Sequence, residues 1–267
     1  MAIRVLISGN GQMGREVLAL ACREPDLEPV GVTDLFASDE YISLPGGSVI
    51  PFGADPKSLI TRTRPDVIVD FTNAEWTPRV AHEALAAGVR LVVGTTGLPA
   101  SLIKELRVGA RKREIGVVVA ANFALGAVLM QYLARTAGRF FDYAEIIELH
   151  HDGKADAPSG TAIATAKSMS QARDGLFKRP ETLRQTIRGT RGGSVDGVTV
   201  HSVRLPGLVA HQEVILGGPG ETLRIRHDSV SRESFMPGVL LAIRYVMDHP
   251  GLVLGMEQLI GLERRAR

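Results

Sequence analysis

The chain has little of three things. Its 267 residues hold one cysteine, Cys22, which excludes an intramolecular disulfide. Set in a helical pattern, that cysteine reads as a small apolar residue rather than a nucleophile. No apolar run reaches the ~18 residues of a membrane span. The net charge is only +2, too weak to attract nucleic acid or an anionic membrane, and the terminal "ERRAR" reads as a solvated end. The N-terminus "MAIRVLISGNG" enters a strand directly, without the charged, apolar and cleavage regions of a leader. These absences leave a cytoplasmic enzyme. Apolar residues at 45% suffice for a sizeable core, in one large or two modest domains.

The first half alternates two patterns. Short β-branched runs at residues 3–8, 30–34, 66–70, 90–93 and 116–120 are separated mostly by helical patterns at 12–23, 76–87 and 100–112. Continuous apolar strands between amphipathic helices predict a parallel sheet covered on both faces. Residues 37–53, rich in Ser, Gly and Pro, read as an irregular loop. After Asn122 the rhythm changes. A helix is expected over 125–138, a strand over 143–149 and a second helix over 160–172. The run "RQTIRGTRGGSVDG" then reads as a loop. Strands follow at 198–204, 211–216 and 222–228, the last two joined by a "GGPGE" hairpin turn. The expected architecture is α/β. A Rossmann-type dinucleotide-binding domain takes residues 1–122 and 231–267, including a helix at 235–248. A smaller α+β domain with an open mixed sheet takes 123–230; the resemblance given below implies that it serves substrate binding and oligomerisation.

"SGNGQMGRE" sets Gly9, Gly11 and Gly14 in G-x-G-x-x-G spacing between the first strand and the first helix. Such glycines permit a tight turn, approach to a pyrophosphate, and close helix–strand packing. The helix start offers unpaired N–H groups to the phosphates. Asn10, Gln12 and Met13 complete the loop. Asp34 ends the second strand 20 residues beyond Gly14, where an acid accepts hydrogen bonds from an adenine ribose. That acid disfavours the extra phosphate of NADPH, and Leu35 supplies no compensating arginine, so the pattern leans to NADH. Arg15 or Arg4 reaching a phosphate would permit both. "VDFTNAE", "VGTTGL" and "AANFALG" each lie at a strand end. Taken singly each is a plain turn; together they form a rim at the carboxyl edge, where open parallel sheets bind ligands.

"ELHHDGKADAPSGTA" carries the second concentration of chemistry. His150 and His151 are neighbours on a strand, so their side chains diverge unless the strand ends there. Lys154 follows, and then a helix start that Asp156 or Ser159 can cap, with Pro158 suited to its first turn. Cationic groups beside a helix N-terminus fit a small acidic substrate. Paired histidines without a nearby cysteine or an H-x-x-x-H helix make no credible metal site. Arg204, His211 and Arg232 lie further along, where pocket, surface and packing roles stand equal.

The same segment resembles the signature of the dihydrodipicolinate reductase family, written E-x-H-H-x-x-K-x-D-A-P-S-G-T-A. The resemblance continues through "DFTNAE", "GTTG", "AANF", "VRLPGLVAHQEVILGG" and "IRHDSVSRESFMPGV", in the family's order and over nearly the whole chain. It implies an enzyme of diaminopimelate and lysine biosynthesis, usually a homotetramer. Such an enzyme reduces a cyclic unsaturated dicarboxylate with NADH or NADPH, with loss of water. It also implies that His150 is the catalytic acid/base and Lys154 the proton donor. His151, Ser159, Gly160 and Thr161 fall at substrate positions. Gly9, Asn10, Gly11, Gln12, Met13, Gly14, Asp34, Phe71, Gly94, Thr95, Thr96, Ala120, Ala121, Asn122 and Phe123 fall at cofactor positions. Ala124 and Val128 stand where many members have Ser and Asn. Hydride addition to a conjugated imine needs a proton donor; an ammonium eased by cationic neighbours suits that task, and either Lys154 or His150 can fill it. Two other readings share the glycine loop: a dehydrogenase of another imino or amino acid, and a catalytically dead NAD(H) sensor.

Overall fold

A computed structural model of the chain describes residues 1–262. The terminal run read above as a solvated end, residues 263–267, lies outside them. The chain divides into two compact units, Met1–Phe123 with the chain from Phe235 on, and Ala124–Ser234. The elements run β1 (Ile3–Ser8), α1 (Gln12–Arg23), β2 (Leu27–Thr33), β3 (Tyr41–Ser43), β4 (Val49–Gly53), α2 (Pro56–Thr63) and β5 (Val67–Asp70). There follow α3 (Thr77–Ala87), β6 (Arg90–Val93), α4 (Ala100–Arg113), β7 (Gly116–Val119), α5 (Leu125–Ala137) and β8 (Tyr143–His150). The chain continues through α6 (Gly160–Gln171), β9 (Gly193–Val195), β10 (Val198–Arg204), β11 (Ala210–Gly218), β12 (Glu221–Ser229), α7 (Met236–Asp248) and β13 (Gly251–Leu254).

In the first unit, eight strands form one sheet in the order β13-β7-β6-β5-β1-β2-β4-β3, parallel throughout except for the β3–β4 pair. Strands such as Val67–Asp70 are apolar along their length because both faces are covered. Leu59 and Ile60 of α2, Val80 and Ala84 of α3, and Leu102 and Leu106 of α4 pack with Leu6, Ile68 and Leu91 on one face. α1 and α7 pack against each other, and α7 lies on β6 and β7.

Residues 37–53 are not the irregular loop expected. They hold β3 and β4, which extend the sheet edge beyond β2. Short, Pro- and Gly-containing strands are tolerated at such an edge and carry little periodic signal. Two further elements went unread, α2 and β13. α2 spans only eight residues, with Asp55 accepting from the Ser58 N–H and Pro56 in its first turn.

The second unit builds a five-stranded mixed sheet, ordered β12-β11-β8-β10-β9, in which only β8 and β10 run parallel. Ala144, Ile146, Val200, Val214 and Leu216 point to one face and pack with Ala162, Ala166 and Met169 of α6 and Ala134 of α5. The expected hairpin joins β11 to β12 with Gly218 opposite Glu221 and Gly220 at φ +78°. A Pro-Gly pair suits such a two-residue turn. The Arg- and Gly-rich run is not wholly loop, since β9 pairs with β10 at its end.

Candidate active site

The strand order changes direction at β1, whose neighbours are β2 and β5. The crevice beyond the carboxyl ends of such strands is where open sheets bind ligands. Gly9 leaves β1 at φ +102°, a backbone region that suits glycine. Gly14 is buried against it, and a β-carbon on Gly14 would lie 1.7 Å from the Gly9 carbonyl oxygen. Gly11 caps α1 without a side-chain bond and has nothing within 4 Å where a β-carbon would project. The first N–H groups of α1 thus open onto free space with no acidic residue in the first turn, which fits a pyrophosphate. Asn10, Gln12 and Met13 are exposed or half-buried around that opening.

Asp34 ties the loop to β2. Its Oδ2 accepts from the Asn10 N–H at 2.6 Å and its Oδ1 from the Phe36 N–H at 2.9 Å. Each oxygen keeps a second lone pair for a ribose hydroxyl. Arg15 donates to the Asn10 carbonyl at 3.1 Å and stays beside the loop. Arg4 does not: it sits at the start of β1, the wrong end of the strand. There it bonds Glu28, the Thr63 carbonyl and the Arg64 carbonyl.

Beneath the rim lies a group that sequence reasoning left out. Asp70 is fully buried at the end of β5 and faces hydroxyls only. Ser8 Oγ (2.6 Å) and Thr72 Oγ1 (2.8 Å) donate to Oδ1. Thr77 Oγ1 (2.6 Å) and Thr95 Oγ1 (2.9 Å) donate to Oδ2. These four come from the ends of β1 and β6, the turn after β5 and the start of α3, so one carboxylate fixes their spacing. Thr95 is buried in this network, whereas Thr96 is exposed. Phe71 lies over Gly94, where a β-carbon would meet its ring at 2.1 Å, and meets Phe123 edge to face at 5.3 Å. Phe123 is 1% exposed, so its ring supports Phe71 from below. Ala120 is buried, Asn122 half-buried and Ala121 exposed.

In the second unit β8 ends at His150, and His151 lies outside the strand and exposed. The strand therefore stops where the two imidazoles would otherwise diverge. His150 shares a face with Glu148, two residues back, and Glu148 is fully buried. Glu148 Oε2 meets His150 Nδ1 at 2.5 Å and accepts from Arg204 Nη1 at 3.0 Å. Its Oε1 accepts from Arg204 Nη2 at 2.9 Å and from the Ser159 N–H at 3.3 Å. Burial alone would raise the Glu148 pKa, but donors on Arg204, Ser202 and His150 outweigh it and hold it below the usual carboxylate range. Burial lowers the His150 pKa, with Lys154 and Arg204 adding to the effect and Glu148 opposing it.

α6 begins above this pair. Ser159 caps it, accepting from the Ala162 N–H at 3.2 Å, and Pro158 precedes the cap rather than sitting in the first turn. The helix start leaves Gly160 and Thr161 N–H without intrahelical partners, and Gly160 has nothing within 4 Å of a β-carbon position. Lys154 Nζ pairs with Asp156 Oδ1 at 2.6 Å, so its immediate partner is an anion, not the cationic group expected. Arg204 is held by Glu148 and the Asp156 carbonyl, which removes it as a free carboxylate binder. His211 is bonded at both nitrogens, to Asp228 and the Val209 N–H, a structural arrangement. Arg232 is exposed in a short 3-10 turn. Cys22 is half-buried in α1, and burial raises its pKa, the reverse of a reactive thiol.

Two family models cover the chain: "Dihydrodipicolinate reductase, N-terminus" over residues 3–123 and "Dihydrodipicolinate reductase, C-terminus" over residues 126–260. The chain belongs to the dihydrodipicolinate reductase family. A 4-hydroxy-tetrahydrodipicolinate reductase of Dehalococcoides mccartyi (strain BAV1) is 48% identical over 262 residues, 97% of this chain and 99% of the relative. One of Geobacillus thermodenitrificans is 46% identical over 264 residues, 97% of this chain and all of the relative. A solved dipicolinate-bound dihydrodipicolinate reductase from Paenisporosarcina sp. TG-14 superposes with a TM-score of 0.87. It is 39% identical and covers 97% of this chain and 99% of that one.

Ala124 and Val128, set apart above from what the resemblance implies, have these places. Ala124 caps α5 without a side-chain bond, a role a serine would fill, and Val128 is buried one turn on. Among the described residues no helix is long and apolar enough to cross a membrane. No cluster of three or more potential metal ligands occurs among them either.

Proposed function

We propose that the chain reduces 4-hydroxy-tetrahydrodipicolinate to tetrahydrodipicolinate, with loss of water, in diaminopimelate and lysine biosynthesis. The observation that carries this reading is local. One strand end gathers His150 on a buried carboxylate, Lys154 four residues on, and the Ser159-capped start of α6. The first unit serves as the dinucleotide-binding domain and the second as the substrate domain. A nicotinamide cofactor supplies the hydride when bound. The loop from Gly9 to Gly14, with Asp34, Phe71, Gly94, Thr95, Thr96 and residues 120–123, holds it. His151, Ser159 and the N–H groups of Gly160 and Thr161 bind the substrate's carboxylates through oriented donors at the helix start. Lys154 donates a proton and His150 is the acid/base group beside it.

Purified protein should oxidise NADH when aspartate semialdehyde, pyruvate and the preceding synthase generate the substrate. No turnover with either NADH or NADPH would sink this reading.

NADH is the preferred cofactor in this proposal. A phosphate on the adenine ribose would approach the Asp34 carboxylate, and Leu35 is exposed and uncharged. A lower kcat/KM with NADH than with NADPH in the coupled assay would reverse the assignment. The assembly in this proposal is a homotetramer. It is supported by the sheet face turned away from α5 and α6, which carries half-buried Ile147, Leu149 and Ile215. Light scattering that gives a monomer mass at micromolar concentration would remove it.

A further inference from the structure

We infer that Glu148 is the positioning residue that fixes the tautomer of His150, holding its proton on Nδ1 and leaving Nε2 bare. This deepens the reading of His150 as catalytic and rests on it. The argument begins with hydrogen-bond accounting around one buried carboxylate.

An ionised carboxylate only accepts hydrogen bonds. Glu148 is fully buried, and its partners are two Arg204 N–H groups, the Ser159 N–H, the Ser202 side chain and His150 Nδ1. Arg204 grips both oxygens through Nη1 and Nη2, and a bidentate guanidinium favours the charged form. His150 Nδ1 at 2.5 Å from Oε2 must then carry a hydrogen. In the neutral imidazole that places the lone pair on Nε2.

The charged groups facing His150 are Glu148 on its own strand, Arg204 on β10 and Lys154 in the following loop. Glu148 is the sole anion of the three. The neutral ring presents an acceptor at Nε2, so proton donation at neutral pH falls to Lys154. The same carboxylate holds the Ser159 N–H, which ties the imidazole's orientation to the start of the helix that binds substrate.

Glu148→Gln separates positioning from mere shape. Its amide keeps the volume but carries an N–H₂ that must face a donor wherever it points. Turned toward Ser159 and Arg204 Nη2 it meets two donors. Turned toward His150 it meets Arg204 Nη1 and can donate to a bare Nδ1, which shifts the ring proton to Nε2. A dyad of this kind loses up to about 10⁴ in kcat when its carboxylate becomes an amide.

The test reads ring nitrogens by NMR on protein labelled with ¹⁵N-histidine, with His150 assigned among the seven histidines by a His150→Asn spectrum. In the wild type above its titration midpoint, Nδ1 should give a protonated-type shift and Nε2 a bare-type shift. Glu148→Gln should exchange the two, lower the His150 titration midpoint, and cut kcat/KM by about 10²–10⁴-fold with NADH affinity unchanged. A wild-type His150 with its proton on Nε2 overturns the inference. So does a Glu148→Gln enzyme within threefold of wild-type kcat/KM. If the variant does not fold, the wild-type tautomer decides alone. Because that measurement needs no turnover, a failure of the reductase assignment leaves a distinguishable result.

Discussion

A β-carbon added to Gly14 would lie 1.7 Å from the Gly9 carbonyl oxygen and 2.7 Å from its carbonyl carbon. Both atoms are backbone, so neither can swing aside as a side chain would. Gly14→Ala should therefore shift α1 against β1 and cost on the order of 1–3 kcal/mol. Gly11→Ala makes the contrasting case, since nothing lies within 4 Å of the added methyl group. That variant should melt like the wild type yet bind NADH at least tenfold more weakly, because the methyl fills the space before the helix N-terminus. Melting curves paired with NADH fluorescence titration check both. A Gly11→Ala protein with unchanged affinity would place the pyrophosphate elsewhere.

Asp70 holds four hydroxyls and no cation. Asp70→Ala removes the shared acceptor and leaves Ser8, Thr72, Thr77 and Thr95 to find others inside a packed core. The expected loss is roughly 3 kcal/mol or more in unfolding free energy, since each stranded donor costs about 1–3 kcal/mol. Asp70→Asn should cost less, because hydroxyls can rotate to accept from the amide. Urea denaturation followed by far-UV circular dichroism orders the two. Equal midpoints for wild type and Asp70→Ala would show the network to be energetically idle.

The two networks show what the sequence made legible. Periodicity located β1, α1 and β10 to the residue, because longer apolar or amphipathic patterns dominate their own signal. It did not find β3, β4 or β13, where three to five edge residues leave too short a pattern. The glycine loop announced itself by spacing. Glu148 and Asp70 stood in plain view inside "ELHH" and "VDFT", yet nothing in one dimension says that a carboxylate is buried. Alternation offered one available signal: Ala144, Ile146 and Glu148 share a face, so an acid continued an apolar row. Arg204 carried an equal choice of roles because its partner lies 56 residues away.

Acid should weaken the second unit in two steps. Burial holds the His150 and His227 imidazoles below their usual range, against opposing pull from Glu148 and Asp228 respectively. Between the folded and unfolded values the unfolded chain binds more protons, so stability falls as pH drops below about 6.5 and is flat above it. Glu148 and Glu145 are held below the usual carboxylate range despite burial, by Arg204, Ser202 and His150 for the first and by His201 and Arg191 for the second. Their contribution is complete above about 4.3 and is lost as pH falls through the lower folded values. The urea midpoint should thus be lower at pH 5.5 than at pH 7.5, and His227→Gln should flatten that difference. A midpoint equal or higher at pH 5.5 would contradict the burial argument.

Lys154 and Asp156 form a contact of 2.6 Å in which the lysine is the more buried partner, with 23% of its side chain exposed against 56%. An exposed carboxylate of this kind contributes little to stability, so its removal tests function rather than folding. Lys154→Ala should lower kcat by about 10²-fold or more, the usual share of a general acid, while NADH affinity stays at the wild-type value. Asp156→Asn leaves the ammonium in place and should reduce kcat less than tenfold. Steady-state rates with saturating NADH, read beside an NADH titration, separate the two variants. A Lys154→Ala enzyme with wild-type kcat would transfer the donor role to another group and, with it, require a protonated His150 at neutral pH.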